Sequence, residues 1–142
     1  MKKFQYSLSG VLRVRKVQEQ YARSEVAKAL AECNSYKDEL NSLNSESLNS
    51  KKNLKSQGIV DIADYRMNER YLEGVKVRRE NLIEKIRKCE VKIENLKLDL
   101  NRKILETRKL ETHQDKEKDF WQEELRRFEQ AEFDDLSNSR RR

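Results

Sequence analysis

A chain of 142 residues with 41% charged and 35% hydrophobic side chains, three glycines and no proline is not composed like an ordinary globular domain, where roughly seven prolines are expected at this length. Its net charge of +6 is unevenly laid out: residues 1–16 hold Lys2, Lys3, Arg13, Arg15 and Lys16 with no acid, whereas residues 111–135 carry ten acids against four bases. No run of 18 apolar residues exists to span a membrane, and Ser7, Ser9, Gly10 and Arg13 interrupt any signal-peptide core, so the expected compartment is the cytoplasm.

Phe4, Tyr6 and Leu8 alternate, and then a helical period begins. Leu8, Val11, Val14, Gln18, Tyr21/Ala22, Val26, Ala29, Cys33, Tyr36, Leu40, Leu43 and Ser47 follow steps of three and four, which places them on one face of a helix over about residues 8–56. The face is poor at Gln18 and again through the Asn and Ser cluster of residues 41–50, whose side chains compete for backbone hydrogen bonds. Gly58 is placed to end this helix with a positive φ, in a turn over residues 57–60. Asp61 then fits an N-cap, Asp64 the third helical position, and Val60 with Tyr65 a hydrophobic staple. So short a turn sends the next helix back along the first.

The second helix is expected over about residues 61–136, followed by a flexible tail, 137–142, that ends in Arg140–Arg142. Tyr65, Leu72, Val75, Arg79, Leu82, Ile86, Cys89, Ile93, Leu96, Leu100 and Lys103 keep a heptad repeat, the mark of a left-handed coiled coil. Gly74 within it reads as a close helix contact, a tolerated flaw or a hinge. The fold class is therefore all-α: one domain, a long antiparallel two-helix coiled-coil hairpin with an overhanging C-terminal helix end. Folding about Gly58 pairs residue 8 near residue 108, which leaves roughly 28 residues, or about 40 Å of helix, beyond the first helix. Trp121, Leu125 and Phe128 form an apolar stripe there. A partner, self-association, or fold-back of Phe4, Tyr6 and Leu8 would each cover it.

Catalytic chemistry finds little support. His113 is the only histidine and reads as solvated, Cys33 and Cys89 read as buried structural thiols, and no phosphate loop, nucleophile elbow or metal-ligand spacing occurs. The expectation is a non-enzyme with no cofactor and no metal. Nucleic acid is not an expected partner either, because the five N-terminal cations are interleaved with Phe4, Tyr6, Leu8, Val11, Leu12 and Val14, and a zipper-type reader needs a dense basic helix. A filament-forming or scaffold coiled coil is the structural alternative.

The run Phe4-x-Tyr6-x-Leu8-x-x-Val11-Leu12-x-Val14-Arg15 resembles the N-terminal signature of the FliJ family, the small helical component of the bacterial flagellar export apparatus. Residues 17–40 resemble its first helix, Asp64-Tyr65 through Tyr71-Leu72 the segment past the turn, and residues 129–136 its acidic C-terminal run, although Asp134-Asp135 and the terminal arginines depart from it. The resemblance implies a stalk-like protein that enters the pore of a hexameric export ATPase, stimulates it, contacts the cytoplasmic domain of the membrane export gate, and serves export substrate chaperones, peripherally at the inner membrane. Virulence-secretion stalk proteins share that shape. On this reading Arg13, Arg15, Trp121, Leu125 and Phe128 meet the ATPase. Tyr65, Tyr71 and Leu72 meet the gate, unless Tyr65 and Leu72 only close the hairpin tip.

Overall fold

A computed structural model describes residues 2–58 and 61–141. Two helices account for nearly all of them: α1, Ser9–Ser56, and α2, Ile62–Arg141. The fold is an all-α, antiparallel two-helix coiled-coil hairpin. Gly58 has φ +72°, the left-handed conformation a helix-ending glycine supplies. The backbone N–H of Tyr65 donates to the carbonyl of Asp61 at 3.0 Å, so Asp61 stands where an N-cap stands and Asp64 three places into the helix. Val60, the other half of the expected staple, lies outside the described residues.

The second helix, expected to end at about residue 136, runs on to Arg141 among the described residues. No glycine or proline follows Leu136, Ser139 Oγ satisfies the Leu136 carbonyl at 3.0 Å, and Arg140 and Arg141 place positive charge at the negative end of the helix dipole.

The chain divides into two compact units, residues 23–98 and residues 1–22 with 99–142. In the first, Ala29, Cys33 and Ile93 form a buried cluster flanked by Ile86, Cys89 and Leu96. Leu43, Val75 and Leu82 form another, flanked by Tyr36 and Leu40. Each large aliphatic side chain buried here contributes about 1.5–3 kcal/mol. Toward the turn, polar pairs replace apolar knobs. Arg79 Nε donates to Asn44 at 2.9 Å, and Ser50 Oγ to Asn68 at 3.0 Å. Lys37–Glu90 (3.3 Å) and Glu39–Arg78 (3.9 Å) cross between the helices on the surface. Exposed pairs of this kind fix register more than they stabilise, at about 0–1 kcal/mol each. A Cβ added to Gly74 would meet nothing within 4 Å, which removes the close-contact reading of that residue.

In the other unit the face of α1 differs from the expected one. Leu12 is buried, while Leu8, Val11 and Val14 are exposed. Counting back from Val26 in strict steps of four and three gives Ala22, Glu19, Arg15 and Leu12, and this heptad sets the seam. The more hydrophobic Val11 and Val14 stand one step round the helix. Continuity of the coiled coil outweighs two exposed valines, because leaving the repeat would turn every later knob out of its hole.

Candidate functional site

The surfaces expected to meet partners lie at the start of α1, along the C-terminal stretch of α2, and just past the turn. At the start of α1, Arg13 is exposed. Arg15 lies half-buried on the seam, where Nη1 donates to Glu106 at 2.9 Å, and Lys16 approaches Glu111 at 3.7 Å. Only Arg13 among these cations is left without an ion pair among the described residues.

Residues 2–8 run back over α2. Phe4 packs on Trp121 with ring centroids 5.9 Å apart, and Tyr6 is buried. The Tyr6 hydroxyl donates to the Leu110 carbonyl at 3.2 Å and lies 2.7 Å from His113 Nδ1, while His113 Nε2 is 3.3 Å from Glu117. Burial first, and then the Glu117 carboxylate, hold the Tyr6 hydroxyl above its ordinary value of 10.0. Two expectations change. Trp121 has an intramolecular partner, because the fold-back of Phe4 and Tyr6 occurs. His113 is not merely solvated, because it is the post on which Tyr6 docks. Spacing carried part of that signal, since folding at the turn brings residue 6 close to residue 113. Nothing in the composition distinguished a docking histidine from a solvated one.

Leu125 is half-buried and Phe128 is 46% exposed, so the stripe opens progressively toward the end of α2. Phe133 and Leu136 beyond it are exposed. Arg15 and Trp121 do not form one patch. Glu106, which holds Arg15, precedes Trp121 by 15 residues, about 22 Å of helix.

Past the turn, Tyr65 and Tyr71 are exposed at 51% and 41%, and Leu72 is half-buried on the seam. A hydrogen bond to Glu69 and that carboxylate's charge raise the Tyr65 hydroxyl, which ties the side chain along its own helix. Tyr71 is the one of the three with an open ring and no seam position.

No group of three or more potential metal ligands occurs among the described residues, and no helix of them is long and apolar enough to cross a membrane. No curated protein and no solved structure matches the chain. The family model for the flagellar FliJ protein matches residues 4–142. That match, spanning nearly the whole two-helix hairpin, shows that the chain belongs to the flagellar FliJ protein family, whose members are non-catalytic components of flagellar export.

Proposed function

We propose that this protein is a stalk-like, cytoplasmic component of the flagellar export apparatus that binds and stimulates the hexameric export ATPase, contacts the cytoplasmic domain of the export gate, and serves substrate chaperones at the inner membrane. The observation that carries the reading is the C-terminal stretch of α2, where Phe128 stands exposed beyond Leu125 and the Phe4–Trp121 contact. Aromatic side chains in such positions are the groups that most often anchor a protein interface. Arg13 adds an exposed cation at the start of α1, with no ion pair among the described residues, suited to orienting an acidic surface. Tyr71 offers the gate an open aromatic ring, with Tyr65 and Leu72 beside the turn.

The test is stimulation of ATP hydrolysis by the purified chain. Phe128→Ala and Arg13→Glu leave the helical packing intact and are expected to reduce stimulation together with binding. Trp121→Ala and Arg15→Glu are less clean, since the first removes the seat of Phe4 and the second breaks the bond to Glu106. A wild-type chain that neither binds nor stimulates the hexamer refutes the ATPase role. Undiminished capture of the gate domain by Tyr71→Ala refutes the gate contact.

A further inference from the structure

The outer face of α2 carries an acidic and a basic patch that fit one another. The basic patch is a shallow groove of about 330 Å³ lined by Leu105, Arg108, Lys109, Thr112, His113 and Lys116. Leu105 is 56% exposed, and Arg108, Lys109 and Lys116 make no ion pair among the described residues. The acidic patch lies farther along the same helix, where Phe133 and Leu136 are 66% and 61% exposed and are interleaved with Glu129, Glu132, Asp134 and Asp135. Leu105 and Phe133 are four heptads apart, with Thr112, Asp119 and Arg126 at the steps between, so all five fall on one stripe when two helices wind gently round each other.

We infer that this stripe pairs with the same stripe of a second copy in an antiparallel, two-fold symmetric dimer. A two-fold midway between Leu105 and Phe133 falls at Asp119. About that point Leu105 meets Phe133 of the other copy, Lys109 meets Glu129, and Arg102 lies level with Leu136 beside Asp135. Each contact occurs twice, because an isologous interface is self-complementary. Asp119 meets its own copy on the axis, and Asp115 meets Glu123 on either side of it. Lys116 and Lys118 flank the two aspartates, and Arg126 and Arg127 hold Glu123 at 2.8 and 3.6 Å, which offsets the repulsion. The paired stretch, 105–133, is about 43 Å of helix. Two apolar contacts and exposed ion pairs over that length give a weak dimer, weakened further by salt. The closed symmetry stops assembly at two copies and distinguishes this chain from a filament former. The inference does not depend on the ATPase reading.

Sedimentation of the full chain from about 1 to 300 µM at low salt tests it, a span that covers weak association. A monomer–dimer equilibrium is expected. Lys109→Glu and Glu129→Lys are each expected to raise the dissociation constant at least about tenfold, because each sets like charges against one another at two symmetric contacts. Both residues are solvent-exposed, so helicity by circular dichroism is expected to hold, and each variant checks the other. The double variant Lys109→Glu/Glu129→Lys restores the complementarity and is expected to dimerise again, as is an equimolar mixture of the two single variants. A chain that stays monomeric throughout, a dimer indifferent to either swap, a double variant that fails to recover, or growth past two copies overturns the proposal.

Discussion

Replacing Leu12 with alanine tests which face of α1 the packing has chosen. The side chain is 6% exposed, and its truncation removes about three carbons from contact, at roughly 0.8 kcal/mol each, or about 2.4 kcal/mol. A cavity term would add to this in a closed core. A two-helix seam has solvent on either side, so the gap collapses or wets, and the loss is expected near the low end of the 2–5 kcal/mol range for such truncations. Val14 is 55% exposed, so its truncation removes little buried area, and alanine's better helix propensity returns a few tenths. Val14→Ala is expected to change stability by less than about 0.5 kcal/mol. Urea unfolding followed at 222 nm gives the two free energies. Hydrogen exchange at the amides of Ala22 and Thr107 then shows whether the loss falls in the unit that holds Leu12. A Val14→Ala loss equal to that of Leu12→Ala would refute the heptad seam and restore the face that hydrophobicity alone suggests.

Gly74→Ala puts a methyl group into open space on a helix and is expected to stabilise the chain by about 1 kcal/mol, read as a higher unfolding midpoint. A drop would mean that the residue is held for a conformation alanine cannot take. The docked N-terminal segment is expected to release at alkaline pH. Tyr6 has its folded value raised, so the protonated hydroxyl is the form that stabilises docking. That contribution is complete below the ordinary tyrosine value of 10.0 and is lost as pH rises through the raised one. Trp121 fluorescence, which senses the Phe4 contact, is expected to shift to the red in that window, and the shift is expected to be absent from Tyr6→Phe. Superimposable titrations of the two proteins would break the link between Tyr6 and Trp121.

From Ala22 onward the architecture was legible in the sequence. The 3–4 repeat is unbroken there, Gly58 and Asp61 punctuate the turn, and no proline interrupts either helix. Legibility failed where hydrophobicity and continuity disagreed. Val11 and Val14 look like seam residues beside Arg15 and Glu19, yet the repeat carries the polar pair inward, where Arg15 reaches Glu106. The end of α2 was set too early for a related reason. Ser137, Asn138 and Ser139 lower helix propensity without stopping the helix, and two arginines favour its continuation.

The candidate surfaces were harder to read, because a side chain's role there depends on what lies across from it. Trp121, Leu125 and Phe128 share a stripe in sequence, but only Phe128 remains largely open once Phe4 has taken its place on Trp121. Phe128 and Phe133 are five residues apart, roughly 140° round a helix, so they present to different sides. A partner that grips Phe128 therefore leaves Phe133 free, and a second copy paired through Phe133 leaves Phe128 open. The consequence separates the two surfaces experimentally. Phe133→Ser is expected to weaken self-association while leaving ATPase stimulation intact, and Phe128→Ala is expected to do the reverse. Loss of both properties in either variant would mean that the end of α2 acts as a single surface, with one partner displacing the other.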